Sequence, residues 1–498
     1  MKTNENILAL HLSHHGTATY VENKKIIFHT QLDRYNRIKN SSLPSYTLDK
    51  ILENLDIDTL IITNLKSSSV DDWKYIFKNR YHWKQKWKKI KFIDYNFYIH
   101  HLFHAYCSLL WKHIGDRGTV FVHDGGGAIS KNNIEEKETA FSFNDSKVKQ
   151  LFLDNNPYGY NYRMTADKLF RADHQEGKLM ALSNYGGYDN KFENTDIVSE
   201  DTILQSNNES KNLAFTRQTL LENNFFDTFK KHGIKKENIT FTGGVTQNVL
   251  LNSKIQKDIS TKAFFDPLNS DHGITLGAIN YYLKNKLEKI DNVYLGIKQN
   301  LDLSIFNNYK IKDVSSDDIA KIVFDEPVAI FQSRSEQGQR GLGNRSLLMN
   351  PFNKTCQQKV NDIKKREWYR PFATSILEED FSEWFETNDV KNSPHMMSVF
   401  KIKDTYVAKM YSGFSIYNES RVQTVNKKDN LNFYNVLKSF KKKYKLPMLL
   451  NTSLNMPGEV LVETLYDLKE MFENTKLKYV YIPELDKLII DENANVDN

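Results

Sequence analysis

Short apolar runs separated by polar turns set the rhythm of the first half of the chain. Ile7 to His11 and Lys25 to Thr30 read as strands flanking the polar stretch His14-His15-Gly16-Thr17-Ala18-Thr19, which the pattern places at a hairpin tip. Further β-rich runs at Thr59 to Thr63, Lys91 to Ile93, Thr119 to His123 and Asn238 to Phe241 alternate with helical stretches. That alternation predicts an α/β domain. The stretch Asn212 to Lys231 carries apolar residues at helical spacing and stops at His232-Gly233, just before the strand at Ile239. No internal repeat is visible in the sequence. From about Leu287 to Ile319 glycine is nearly absent while acids and lysines dominate, so the domain connection is expected there, between units 1–290 and 315–490.

Length and composition narrow the class. A chain of 498 residues is too long for one core, which agrees with two units. The net charge of +6 is spread along the chain rather than gathered in a tail, which suits anionic small ligands and disfavours nucleic acid. Only Cys107 and Cys356 occur, so neither a disulfide framework nor a cysteine metal site is expected. No stretch has transmembrane length and the start lacks the pattern of a secretory signal, so a cytoplasmic protein without membrane contact is expected.

The strongest chemical signal is Gln332 to Ser346, three arginines and three glycines behind the apolar run Val328 to Phe331. Glycines let a backbone approach a ligand, arginines offer forked donors to phosphate or carboxylate, and Glu336 can hold one guanidinium in place. Nearby, Lys364 to Phe372 adds cations beside aromatic bulk, Arg421 lies on a strand-like alternation, and Leu449 to Asn455 ends a buried strand in a polar cluster. In the first unit a helix at His100-His101-Leu-Phe-His104 would turn His100 and His104 to one face, where they could share a metal or merely cap the helix. Asp124 and Asp271 sit at turns after apolar runs and could complete such a site, although Asp124 taken by itself reads rather as an Asp-Gly turn. Phe241 to Asn248 reads as a strand whose double glycine, Gly243-Gly244, opens a helix, a natural place for a nucleotide. Glu176-Gly177-Lys178 is either a ribose or phosphate contact or an exposed turn.

In their order and across nearly the whole chain, these segments resemble the NodU/TobZ-type O-carbamoyltransferase family. His14 to Thr19 is similar to the end of FxHDSSAA, His100 to Ala105 to HHLxHA, and Asp124 to Ala128 to DGxGE. Glu176 to Leu182 resembles EGKxMGLA, Gly243 to Asn248 GGVALN, and Ser270 to Ala278 GDAGxALGA. Phe331 to Ser346 follows FQGRMEFGPRALGNRS, Lys364 to Ser375 KxRExFRPFAPS, Ser420 to Val425 ARVQTV, and Leu449 to Glu459 LLNTSFNxxGE.

The resemblance implies a large TsaD-like domain of actin-like ATPase fold followed by a smaller YrdC-like α/β domain. It implies that the smaller domain makes carbamoyl adenylate from carbamoyl phosphate and ATP, with Mg2+, and that the larger passes the carbamoyl group to a hydroxyl of a sugar-containing or related small molecule. His100, His104, Asp124 and Asp271 would hold Fe2+ or another divalent transition metal, and His14 would be the general base. Arg340, Lys364, Arg370, Arg421 and Ser453 would form the first pocket, while Glu176, Lys178, Gly243, Gly244, Asn248, Gly273, Arg345 and Asn451 would contact the nucleotide. A homodimer is compatible with this picture. The alternatives are carbamoylation of a nucleic-acid component and a catalytically lapsed nucleotide-binding regulatory protein.

Some positions depart from the pattern. His15-Gly16 stands where Asp-Ser is usual, Ala128 replaces the glutamate of DGxGE, and Thr374 replaces a proline. The family's His-x-Asp-Gly before Arg421 aligns with Ser415-Ile-Tyr417-Asn418. A different acceptor would account for the change beside His14.

Overall fold

The computed structural model describes residues 5–41, 46–64, 90–96, 99–129, 134–145, 147–194, 207–456, 458–492 and 494. Its first sheet contains β1 (Asn6–His11), β2 (Thr17–Glu22), β3 (Lys25–Gln31), β4 (Thr59–Asn64) and β5 (Lys91–Asn96), in the order β3-β2-β1-β4-β5. The first three strands form an antiparallel meander, while β4 and β5 run parallel to β1. The two strands expected around His14 are therefore not hairpin partners, because β2 intervenes. Its threonines hid it from a polarity reading. Thr17 and Thr19 are buried, and Thr19 Oγ1 satisfies itself against His29 Nδ1 and Thr275 Oγ1, each at 2.7 Å.

The second sheet holds β6 (Arg117–His123), β7 (Glu138–Asn144), β8 (Lys147–Asp154), β9 (Ile239–Thr242) and β10 (Phe264–Phe265). Read from its β8 edge, the order is β8-β7-β6-β9-β10, again an antiparallel meander of three followed by two strands parallel to the first. The first unit is thus a structural repeat, although no repeat is legible in the residues. This duplicated α/β sheet agrees with the α/β class that the alternation of strands and helices predicts. Helix Ile274–Tyr282 packs on β1, helix His100–Ser108 packs on β6, and the two helices pack on each other between the sheets. Their apolar sides build one core with Ile7, Ala9, Phe103, Trp111 and Leu276.

The third sheet has ten strands: β11 (Lys310–Asp313), β12 (Val328–Phe331), β13 (Arg345–Met349), β14 (Ala373–Leu377), β15 (Phe385–Glu386), β16 (Val399–Ile402), β17 (Glu419–Val425), β18 (Met448–Ser453), β19 (Tyr479–Ile482) and β20 (Lys487–Ile490). All four residues of β12 are buried, and they alternate between two cores. Ala329 and Phe331 face helices Cys356–Lys364 and Leu465–Asn474, whereas Val328 and Ile330 face helices Ser316–Asp325 and Leu431–Tyr444. The acid-rich stretch read as a domain connection contains β11, paired with β20, and the start of helix Ser316–Asp325, closed by a Ser315–Asp318 capping box. Leu342, Ala373 and Met396 of this unit join the core of the first.

Candidate active site

Helix His100–Ser108 starts just after β5 and presents His100 and His104 one turn apart, their Nε2 atoms 3.2 Å from each other. Asp124 directly follows β6, and Asp271 opens the short turn Asp271–Gly273 that leads into helix Ile274–Tyr282. His104 Nε2 lies 3.2 Å from Asp124 Oδ2 and 3.7 Å from Asp271 Oδ1; His100 Nε2 lies 3.4 Å from Asp271 Oδ1 and 3.8 Å from Asp124 Oδ2. One ligand atom from each of the four falls within 4.8 Å of all the others.

A four-coordinate ion bound at ordinary Zn–N lengths spaces its ligands by about 3.4 Å. The two imidazoles and two carboxylates fit a divalent transition metal on that measure, and they also fit by donor type. Asp124 Oδ2 is buried without a hydrogen-bond partner, as expected of an oxygen left for a cation, while Asp271 turns Oδ1 to His100 and His104. Burial alone would raise both carboxyls, but the surrounding imidazoles hold them well below the ordinary carboxylate range. Burial would lower His100, yet the carboxylates of Asp271 and Asp124 raise it.

Histidines continue outward from this cluster. His14 Nε2 is 3.2 Å from Asp271 Oδ2, His11 Nε2 is 3.6 Å from the same oxygen, and the His14 side chain is 38% exposed. His15 meets His272 at 4.7 Å between ring centroids and His174 at 5.1 Å. Burial pulls His15 down to about 3 and His174 to about 4, so these rings are neutral near neutral pH and each offers one donor and one acceptor. His15 and His272 both depart from the family pattern, and they touch. His11 and His174 lie outside the motifs, and His272 stands where the motif around Asp271 has a small residue.

A second cluster forms where the start of β14, the start of β17 and the end of β18 lie side by side. Lys364, at the end of its helix, donates to Ser453 O at 2.7 Å and to Asn455 O and Oδ1 at 2.6 Å each. Three acceptors match the three N–H groups of an ammonium, so Lys364 stays charged here although burial, Arg366 and Arg370 all lower it. Burial and neighbouring cations also pull Arg340 down to about 10 and Arg366 to about 9, and they lower Arg421. Arginine does not shed its charge near neutral pH, so an anion is needed to relieve the repulsion. The acids nearby are already paired: Glu367 with Lys178 at 2.7 Å and Arg370 at 2.9 Å, and Glu459 with Arg37 at 3.0 Å. Arg366 and Asn455 sit in stretches singled out from the sequence but were given no role there. Their geometry places them in this pocket.

The arginine-glycine stretch spans both clusters. Gln339 Nε2 is 3.3 Å from His272 Nδ1, and Arg340 Nη2 donates to Gln247 O at 3.1 Å. Gly338, at φ +94°, lets the chain pass where a Cβ would stand 2.6 Å from Pro267 O. The Glu336 carboxylate accepts no guanidinium hydrogen bond; its Oε1 accepts the backbone N–H groups of Leu342, Asn344 and Arg345 and fixes the loop from within, while its backbone carbonyl takes Arg34. The terminal guanidinium nitrogens of Arg345 are taken by the carbonyls of Gln332, Asn344 and Glu463, and its plane stacks 3.6 Å from the Phe331 centroid, so this arginine supports the loop. Asn451 likewise ties Gly341 O to Ser375 and Gln423.

In the first unit Gly243 has φ +89°, and a Cβ there would meet His123 O at 2.4 Å, while Gly244 borders the Asp124 carboxylate. The glycines lead into a 3₁₀ turn, Gly244–Gln247, and the α-helix begins only at Val249 with Asn248 as its cap. Gly273 packs closely on Leu268 and Cys107. Glu176 and Lys178 occupy the first turn of helix Glu176–Ser183, with Lys178 reaching Glu367 of the other unit.

Residues 319–487 match the family description "Carbamoyltransferase C-terminus". The nodulation protein NolNO of Sinorhizobium fredii is 27% identical, over 96% of this chain and 79% of its own length. The 3'-hydroxymethylcephem-O-carbamoyltransferase of Amycolatopsis lactamdurans is 26% identical, over 72% of this chain and 71% of its own. The chain carries a carbamoyltransferase C-terminal domain and is similar to nodulation and O-carbamoyltransferase proteins over most of its length. Among solved structures, full-length HypF in its phosphate- and nucleotide-bound form is similar to this chain over 56% of the chain and 55% of HypF, with 13% identity and a TM-score of 0.30. Among its described residues no helix is long and apolar enough to cross a membrane.

Proposed function

We propose that this chain is a cytoplasmic, ATP-dependent O-carbamoyltransferase that works in two half-reactions and delivers the carbamoyl group to a hydroxyl of a sugar-containing or related small molecule. The observation that carries the reading is the pair of clusters, one cationic and short of acids, one of histidines and aspartates, joined by the stretch Gly338 to Arg340.

In the first half-reaction water releases phosphate from carbamoyl phosphate, an oxygen of the resulting carbamate bonds the α-phosphorus of ATP, and pyrophosphate leaves with the electrons of the broken P–O bond. Arg340, Arg366, Arg370, Arg421 and Lys364 offset the negative charge gathered by these phosphates and carried into the transition state. Mg2+ would accompany the nucleotide. Ser453 brings its carbonyl to Lys364 and its hydroxyl to Asn455 at 2.7 Å, which orients the cation.

In the second half-reaction the acceptor oxygen attacks the carbamoyl carbon, the bond from that carbon to the adenylate oxygen breaks, and AMP leaves. Asp271 faces His14 Nε2, so Nδ1, 3.3 Å from Ser13 Oγ, is the atom that takes the hydroxyl proton. His100, His104, Asp124 and Asp271 would hold a divalent metal, Fe2+ or a similar ion, which when bound offsets charge on the adenylate and polarises the carbonyl. Gly243 and Gly244 would bring backbone beside the adenylate, near Glu176 and Lys178. His15, His174 and His272, neutral and ring-shaped, suit an acceptor with several hydroxyls.

The test is to incubate the protein with carbamoyl phosphate, ATP, Mg2+ and Fe2+ and to measure pyrophosphate and AMP with and without candidate acceptors. The reading requires carbamoyl-phosphate-dependent pyrophosphate. Its absence ends the proposal.

A further inference from the structure

We propose that Glu136 is the positioning residue of the histidine-aspartate pocket, supplying from the end of its loop the carboxylate that the family pattern carries at position 128. The inference rests on the metal reading of His100, His104, Asp124 and Asp271. Those ligands come from separate pieces of chain, so something must hold the pieces together. One oxygen does this for two of them. Glu136 Oε2 accepts the N–H of His101 at 3.1 Å and the N–H of Ala128 at 3.2 Å. The first amide belongs to the opening turn of the helix that carries His100 and His104; the second belongs to the loop that runs on from Asp124.

The surroundings favour this assignment over a surface cap. Glu136 and Ala128 are both buried, and the backbone N–H of Glu136 returns a hydrogen bond to Ala128 O at 2.8 Å. Gly127 is pressed between the His101 ring and Glu136: a Cβ there would stand 2.8 Å from the first and 3.0 Å from the second. His101 is fixed on its other side by Thr139 Oγ1, 2.8 Å from Nδ1. A carboxylate in this space can be reached from position 136, as here, or from position 128, where this chain has only a methyl group. The same two amides need the same partner in either case, because a buried N–H left unpaired is costly. Residues that orient metal ligands in this way commonly change metal affinity by about 10- to 100-fold when lost.

The experiment titrates the apo protein with Fe2+ under anaerobic conditions, and separately with Mn2+ and Zn2+, following heat and near-ultraviolet circular dichroism. E136A should bind about 10- to 100-fold more weakly than the wild type. E136A/A128E, which returns the carboxylate from the other side of the space, should recover to within about threefold of the wild type, on the same scale. E136D, whose shorter side chain cannot span both amides, serves if E136A does not fold and should lose at least about tenfold. Unchanged affinity in folded E136A or E136D, or a double variant no better than E136A, overturns the inference while leaving the metal site standing. A wild type that binds none of the three ions removes the metal reading and the inference with it.

Discussion

Lys178 Nζ lies 2.7 Å from Glu367 Oε1, although Lys178 belongs to a helix of the first unit and Glu367 to the cation-rich loop of the second. Glu367 also accepts from Arg370, and the two cations hold its carboxyl down at about 2 against the effect of burial. The one contact therefore links the proposed transfer side to the proposed activation side. Both side chains are roughly a quarter exposed, so its worth is small. A double-mutant cycle on K178M and E367Q should give a coupling of about 0.2–1 kcal/mol in thermal stability. A coupling of several kcal/mol would mean that the pair is sealed from solvent.

Arg366 stacks 4.8 Å from the Phe372 centroid and donates to Thr452 Oγ1 at 3.1 Å, facing the other buried cations. Arg366→Ala should lower carbamoyl-phosphate-dependent pyrophosphate release by about 100-fold, as expected for loss of a fixed charge donor. Metal affinity should stay as in the wild type. A parallel loss of both would place Arg366 in the scaffold.

His104→Ala removes one of two imidazoles from the proposed metal set and should abolish transfer to the acceptor while pyrophosphate release continues. Measured side by side with Arg366→Ala, the two variants should divide the half-reactions between the clusters. Equal loss of both half-reactions in both variants would refute that division.

Arg34 and Glu463 form an ion pair between the units with side-chain exposures of 2% and 0%, and Arg34 also donates to the carbonyls of Glu336 and Gly338. Truncation leaves a buried carboxylate uncompensated. Arg34→Met should therefore cost about 3–5 kcal/mol in denaturant unfolding, far more than any exposed pair. A loss below about 1 kcal/mol would show that water reaches Glu463.

Glu138 lies 3.1 Å from His123 in the second sheet, where burial pushes the glutamate up to about 8 and the histidine down to about 3. The pair is thus neutral across the ordinary range. Because the folded Glu138 keeps its proton above the ordinary glutamate value of about 4.5, its contribution is full below that pH and is lost as pH rises through about 8. Glu138→Gln should flatten the decline in stability between those limits, read from melting temperature against pH. An unchanged slope would show that Glu138 is ionised in the folded protein.

The apolar runs at β1, β4, β6 and β12 are legible because their burial leaves a nearly unbroken apolar signature. Strands β2 and β8 are not. Buried threonines disguised β2 as a turn, and β8 exposes Lys147, Lys149 and Gln150 at the sheet edge. In the site, residue types carried the message: two histidines one turn apart, two aspartates after strands, arginines among glycines. What no local pattern supplies is which donors are already spent. The terminal nitrogens of Arg345 and the amide nitrogen of Asn451, ligand contacts by resemblance, are taken by backbone carbonyls and buried side chains, whereas Arg366, Asn455 and Glu136 acquire partners only when distant segments meet.

The repeated sheet order gives β1 and β6 the same station in their respective halves, and each delivers its following turn to one cleft: His14 after β1, Asp124 after β6. The two turns are corresponding connections on independent frames. Residues can be exchanged in the turn proposed to face the acceptor hydroxyl while the frame that carries the aspartate stays as it is. Such a layout would let the proposed centre be refitted to new acceptors by editing a single hairpin.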